Sequence, residues 1–339
     1  MMNTEEIQSF FERSLRASAT EWIALPQSGS ARRNFIASIS ERKFVITFND
    51  NVTENEVFFY FSEIFSQNNL NTPQIIAFSE DRKVYIQDFL GENTLSEVIS
   101  KENLNFRLRD LVKKTLDRLY TLQIKTLGKV DFTKTFEYET YNQLPILHDL
   151  FYFKNFMIDV LEIEYHKSSL LKEFMQICTN VEALQPRGLM IRDFQARNIM
   201  VNEKDEVFFI DYQGAMEGPL MYDVISFLFQ AKANFPKELK NEMLEYYISL
   251  FKNPELELQL KASVNWLKLM RFLQVLGAYG FRGLIQRKPH FLQSIHQGIK
   301  NISDFTQDWK EIQNFPELEK VIKSLVLAEK ENKINQFIQ

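Results

Sequence analysis

Leu189-Met190-Ile191-Arg192-Asp193-Phe194-Gln195-Ala196-Arg197-Asn198-Ile199-Met200-Val201, then Asn202-Glu203-Lys204-Asp205-Glu206, then Val207-Phe208-Phe209-Ile210-Asp211, is the most informative stretch of the chain. The two apolar runs have strand composition and the five polar residues between them make a turn, so the segment is expected to fold as an antiparallel hairpin. Folding back on that turn brings Asn198, where the first strand begins, beside Asp211, where the second ends. Asp193 lies five residues before Asn198, on the loop that enters the hairpin. An amide oxygen and a carboxylate converging at an open loop suit Mg²⁺, which takes a few hard oxygen ligands together with substrate phosphates. A second carboxylate nearby can accept the proton of an attacking hydroxyl. Positioning, charge neutralisation and one base are the apparatus of phosphoryl transfer.

The sequence on either side differs in kind. Before the hairpin, Thr4 to Ala17 carries Ile7, Phe10, Phe11 and Leu15 at helical spacing. Strand-like runs follow at Phe35 to Ile39 and Phe44 to Phe48, around the turn Glu41-Arg42-Lys43, and again at Ile75 to Phe78 and Val84 to Gln87. A helix is expected over Glu56 to Phe65. After Gly91 the pattern becomes helical: Leu104, Leu108, Leu111, Val112, Leu116, Leu119 and Leu122 hold a 3.6-residue period. Helical segments continue at Leu147 to Ile163 and Ser168 to Cys178. From Tyr222 onward helix predominates again, broken at Pro236, Pro254, Pro289 and Pro316. The expected class is therefore α+β. A small antiparallel, β-rich N-lobe over 1–90 precedes a large, mainly helical C-lobe over 91–339, with a hinge near Asp88 to Glu92.

Composition removes several other classes. The 339 residues contain 10 glycines, none in a G-x-G-x-x-G or G-x-x-x-x-G-K pattern, so dinucleotide binding of the Rossmann type and P-loop phosphate binding lose their main support. The single cysteine, Cys178, precludes an internal disulfide and fits a reducing compartment. His148, His166, His290 and His296 lack zinc spacing. The longest apolar runs, such as Val57 to Phe61, fall far short of the roughly 18 residues of a membrane span. Glu5 and Glu6 replace the basic start of a signal peptide. A net charge of -5 without a long Lys/Arg run argues against nucleic acid and anionic membranes as partners. The expectation is a cytoplasmic protein acting on a small molecule, with no obligate protein partner evident. The 31 phenylalanines read as core packing.

Arg-Asp-x-x-x-x-Asn followed by a strand ending in Asp resembles the catalytic loop and metal-binding strand of enzymes with the two-lobed protein-kinase-like fold. Ile210-Asp211-Tyr212-Gln213-Gly214-Ala215 and Gly218-Pro219-x-x-Tyr222-Asp223 resemble the aminoglycoside phosphotransferase/choline kinase branch. Ser28 to Phe35, Tyr141 to Phe156 and Arg271 to Arg282 are similar to the bacterial amino-sugar kinases within it, which phosphorylate N-acetylmuramate or N-acetylglucosamine at the anomeric oxygen. The resemblance implies ATP and Mg²⁺ as cofactors. It makes Asp193 the catalytic base and Asn198 and Asp211 the Mg²⁺ ligands. Gln87, Asp88 and Phe89 would receive adenine through backbone groups, and Ser28, Gly29, Ser30, Arg32 and Arg33 would cover the phosphates, where backbone N–H groups are natural anion donors. Asp223 would brace the catalytic loop.

Two features depart from that pattern. Ile191 stands where the family often has His. The strand Phe44-Val45-Ile46-Thr47-Phe48 has no lysine for the α- and β-phosphates; Thr47 or a neighbour holds its place. Arg32, Arg33 and Lys43 are the candidate substitutes, with Glu56 as a possible helix partner or simply a solvated first-turn acid. For the acceptor, Arg271 and Arg282 are 11 residues apart in a helical run and should share a face; they suit a carboxylate-bearing sugar, or each pairs with a buried acid such as Asp223. Asp149 and Tyr141 are candidates for sugar hydroxyls, or else ordinary helix-surface residues. No dense acidic cluster follows Asp211, where Glu217 stands alone, which counts against a polycationic acceptor. Another small alcohol such as an aminoglycoside or choline, and a catalytically weak kinase-like binding module, remain as alternatives.

Overall fold

A computed structural model describes residues 2–26 and 31–338. Ser28, Gly29 and Ser30, expected over the phosphates, lie outside the described residues. The chain begins with α1 (Thr4–Leu15), β1 (Glu21–Ala24), β2 (Arg33–Ile39), β3 (Arg42–Phe48), α2 (Val52–Gln67), β4 (Ile75–Phe78), β5 (Val84–Asp88), β6 (Asn93–Thr94), α3 (Leu95–Lys101) and α4 (Phe106–Thr126). It continues with α5 (Gln143–Phe153), α6 (Lys167–Glu182), β7 (Arg187–Met190), β8 (Ile199–Val201), β9 (Val207–Phe209) and β10 (Met216–Pro219). The remainder is helical: α7 (Met221–Leu228), α8 (Lys237–Ser249), α9 (Pro254–Tyr279), α10 (Pro289–Leu292), α11 (Ile295–Asp308), α12 (Pro316–Leu325) and α13 (Ala328–Ile338).

These elements pack as two units, and their limits are not the expected 1–90 and 91–339. One unit comprises 1–139 together with 191–216; the other comprises 140–190 together with 217–339. The boundary differs because the hairpin of β8 and β9 pairs with β6, whose residues Asn93 and Thr94 sit opposite Val201 and Met200, so the hairpin stays with the sheet-bearing part of the chain. Gly91 makes the turn into β6 possible. Its φ is +139°, and a Cβ there would stand 2.6 Å from the Val201 carbonyl oxygen.

In the first unit a five-stranded antiparallel sheet runs in the order β1-β2-β3-β5-β4. α1 covers it, with Ile7 and Phe11 buried against Phe35, Phe44, Ile46 and Ile86. The helix starts at a reciprocal cap: Asn3 Oδ1 accepts from the Glu6 N–H at 2.9 Å, and Glu6 accepts from the Asn3 N–H at 2.7 Å. In the second unit α5 lies close to α9 because glycines line the contact. A Cβ at Gly277 would meet the Phe153 nitrogen at 2.7 Å, and one at Gly280 would meet the Phe156 carbonyl oxygen at 2.1 Å. Both helices end in a π-helical turn, Lys154–Ile158 after α5 and Gly280–Ile285 after α9. Cys178 is free and buried, and burial pushes its thiol up to about 11, so it stays protonated at neutral pH. Among the described residues no helix is long and apolar enough to cross a membrane.

Candidate active site

β8 and β9 pair with Ile199 opposite Phe209, and the Ile210 N–H donates to the Asn198 carbonyl at 3.0 Å. That closing bond holds Asn198 against the end of β9. Asn198 Nδ2 lies 3.4 Å from Asp211 Oδ2 and donates to the Asp193 carbonyl at 2.9 Å. The amide nitrogen is thus committed, while Oδ1 accepts no hydrogen bond among the described residues and is the free hard donor beside the Asp211 carboxylate. Such a pair fits Mg²⁺, which needs few protein ligands when phosphates complete its shell.

Two residues of this loop stand in the left-handed region, Arg192 at φ +70° and Asp211 at φ +63°. Aspartate tolerates this conformation better than most residues and arginine does not, and such positions cluster where a site fixes a side chain's direction. Arg192 is held by Glu137 at 3.1 Å and lies over the Tyr138 ring. Phe194 packs edge-on against Phe209 at 4.8 Å between centroids, anchoring the loop to the hairpin. Ile191 is buried, so the position where the family often has His is filled by apolar packing.

Asp193 keeps its carboxylate partly exposed, with Arg197 Nη2 at 2.8 Å and Gln195 Nε2 at 2.5 Å. Asp211 is surrounded by donors. Its Oδ1 receives Arg32 Nη1 at 3.1 Å and Gln213 Nε2 at 2.9 Å. Tyr212, the next residue, is fully buried and stacks on Phe58 of α2; its hydroxyl meets Ser62 Oγ at 2.7 Å. Burial pushes the Tyr212 phenol far above its ordinary value, so the hydroxyl is neutral at any working pH. The Asp211-Tyr212 step is thereby tied to α2.

The three basic residues considered as substitutes for a strand lysine separate clearly. Lys43 pairs with Glu92 at 2.7 Å and lies over the Phe89 ring. Arg33 donates to the Met2 carbonyl and lies over the Phe48 ring at 4.4 Å. Arg32 alone of the three contacts Asp211. The α2 acid beside it is Glu54, at 2.6 Å, whereas Glu56 is bound bidentately by Arg82 at 2.5 and 2.9 Å. Glu54 was not legible in the sequence, because the helix begins at Val52 rather than at Glu56 and the pairing depends on that starting point.

In the segment expected to be a hinge, which lies within the first unit, Asp88 closes the end of β5 on Gln74: each residue's backbone N–H donates to the other, with Asp88 accepting through Oδ2, both at 3.2 Å. Gln87 Oε1 is buried without a donor among the described residues.

The acceptor candidates lie in the second unit. Tyr141 and Asp149 are both buried, not helix-surface residues, and the Tyr141 hydroxyl donates to Asp149 Oδ2 at 3.0 Å. Tyr141 packs edge-on to Tyr222 at 5.2 Å, and the Arg271 guanidinium lies 6.0 Å from the Tyr222 centroid while its Nη1 donates to Gln274 at 2.8 Å. Three of the four candidates therefore form one chain of contacts. Arg282 is not in it. The π-turn after Tyr279 breaks the helical phase on which the shared face relied, and Arg282 lies over Phe291 at 5.2 Å instead. Asp223 is fully buried in α7. Glu217 is paired: Arg187 grips both its oxygens at 2.9 and 3.1 Å. Burial raises its pKa, but the Arg187 and Thr140 bonds outweigh that and leave it below the ordinary value.

An antiparallel sheet, a helix tied to an aspartate loop and a following helical unit make up a protein-kinase-like fold. The sequence model of the phosphotransferase enzyme family matches residues 22–258, and the chain belongs to that family. A curated relative, the N-acetylmuramate/N-acetylglucosamine kinase of Pseudomonas aeruginosa, is 23% identical over 235 residues, or 67% of this chain. The match spans 66% of that relative's length. Among solved structures, a thermostable mutant of aminoglycoside phosphotransferase APH(4)-Ia in ternary complex with ADP and hygromycin B superposes with a TM-score of 0.59 at 16% identity, covering 90% of this chain and 99% of that one. The choline kinase LicA from Streptococcus pneumoniae gives 0.61 at 12% identity, covering 87% and 98%. At these identities the structures speak for the fold alone.

Proposed function

We propose that the protein is an ATP- and Mg²⁺-dependent kinase that phosphorylates the anomeric hydroxyl of an N-acetylated amino sugar, N-acetylmuramate or N-acetylglucosamine, in cytoplasmic cell-wall recycling. The observation that carries the kinase reading is the convergence of Asp193, Asn198 and Asp211 at the mouth of one hairpin. Asp193 takes or orients the acceptor's hydroxyl proton, and Arg197 and Gln195 fix the carboxylate that does so. Asn198 and Asp211 would hold Mg²⁺, which would supply charge neutralisation for the transferred phosphoryl group. The hinge supplies an acceptor as well as backbone groups: the buried Gln87 Oε1 suits the amino group of adenine.

The amino-sugar part rests on the curated relative and on the second unit's chemistry. Arg271, buried beside Tyr222, brings the positive charge that a sugar carboxylate requires, and Tyr141 with Asp149 brings hydroxyl and carboxylate groups for sugar hydroxyls. Glu217 is already engaged by Arg187, which disfavours a polycationic acceptor.

Asp193→Asn is expected to lower kcat by about 10²–10⁴-fold while leaving the KM for ATP within a few-fold. Asp211→Ala is expected to abolish Mg²⁺-dependent transfer. Wild-type turnover in either variant would overturn the assigned role.

A further inference from the structure

We propose that Arg32 is the cation that grips the nucleotide phosphates, entering from the approach to β2 in place of a lysine on β3, and that Glu54 and Asn49 hold it there. The proposal rests on the kinase reading and names the phosphate-binding group of that same site.

Position 47 is not available to a cation. Thr47 is buried in β3, opposite Asn34 on β2 and Tyr85 on β5, and its hydroxyl donates to Asn34 Oδ1 at 2.9 Å. Arg32 directly precedes β2 and stands two residues before Asn34, the residue that Thr47 opposes and bonds. Arg32 therefore delivers its charge to the region that the Thr47 side chain borders, from one strand over.

The support behind Arg32 is built rather than incidental. Its Nη2 meets Glu54 Oε1 at 2.6 Å, and Glu54 Oε2 accepts from Asn49 Nδ2 at 2.8 Å. Asn49 is buried at the end of β3 and is locked in turn by Asn55, fully buried, whose Nδ2 donates to the Asn49 carbonyl at 3.0 Å. Glu54 itself sits in the first turn of α2, its N–H capped by Asn51 at 3.2 Å. One edge of the guanidinium is thus anchored to the helix, and the other, Nη1, faces Asp211 Oδ1 at 3.1 Å. A planar guanidinium can serve an anchor and an anion at once, and a lysine ammonium at position 32 lacks that fork. Two carboxylates around one cation leave a net negative charge, so a bound phosphate needs the metal's charge as well as Arg32; phosphate binding and metal binding should be coupled.

The test is the affinity of ADP with Mg²⁺ and of adenosine, each measured by calorimetry on wild type, Arg32→Ala, Arg32→Lys and Glu54→Gln. Adenosine carries the base and sugar without phosphates, so the ratio of the two Kd values isolates the phosphate contribution and is unaffected by the folded fraction of a variant. Arg32→Ala is expected to shrink the ADP preference at least tenfold with adenosine affinity unchanged. Arg32→Lys should stay closer to Ala than to wild type, and Glu54→Gln should fall between. An unchanged ratio in Arg32→Ala overturns the assignment while leaving the kinase reading intact, and full recovery in Arg32→Lys overturns the requirement for the forked guanidinium. Wild-type protein that binds no ADP with Mg²⁺ overturns the kinase reading itself and this assignment with it.

Discussion

Glu217 shows how a single side chain's surroundings set its energetics. Its carboxylate is half-buried, and its stability contribution depends on Arg187, whose Nη2 also reaches Thr140 and the Tyr141 carbonyl. Because the folded-state pKa lies below its ordinary value of 4.5, the ionised form is the one that folding favours. The stabilisation is full above that ordinary value and is lost as pH falls through the lower folded-state value. Glu217→Gln should therefore cost about 1.5–3 kcal/mol at neutral pH, the scale of hydrogen bonds to charged groups. The difference from wild type should shrink once pH falls below the ordinary value of 4.5 and vanish below the lower folded-state value, checked by urea unfolding at a series of pH values. A penalty independent of pH would contradict the ion-pair account. At this scale the sequence is informative where chemistry dictates spacing, as with Asn198 and Asp211. It is uninformative where a partner comes from far along the chain: nothing near Glu217 announces Arg187, and Glu54 and Glu56 differ only in which arginine each meets.

Elements carry the next level. The helix α2 is fastened to the aspartate loop twice, through Arg32 and Glu54 and through Ser62 and Tyr212, so that its position and the direction of Asp211 are set together. Its start at Val52 depends on the Asn51 cap, a short polar signal that the run of aromatics after Glu56 obscures. In the second unit, the α5–α9 contact depends on close backbone approach. Gly280→Ala places a methyl group 2.1 Å from the Phe156 carbonyl, against backbone rather than a movable side chain. It should lower stability by about 1–3 kcal/mol, the cost of overpacking, read as a fall in the urea midpoint. An unaffected midpoint would show that the two π-turns slide freely. The turns themselves explain why Arg271 and Arg282 do not share a face: an 11-residue interval on a regular helix predicts that they do, and one extra residue per turn removes the phase.

For the molecule as a whole, the antiparallel β-rich beginning and helical remainder were legible because periods of 2 and 3.6 residues alternate cleanly along the chain. The division into compact units was not, since the hairpin joins the sheet-bearing unit through β6, a pairing of two residues that leaves no periodic trace. Local pattern thus points to the aspartate loop proposed as catalytic, and long-range packing decides which charges lie beside it. The central claim is phosphoryl transfer to an N-acetyl amino sugar, and its most direct test is ATP consumption by the purified protein with Mg²⁺ against N-acetylmuramate, N-acetylglucosamine, glucose, choline and kanamycin, with the product's phosphate position read by ³¹P NMR. The account predicts an anomeric phosphate on an N-acetylated sugar and none on choline or kanamycin. Turnover confined to choline or kanamycin would contradict the acceptor, and ATP consumption with none of the panel would contradict the amino-sugar assignment altogether.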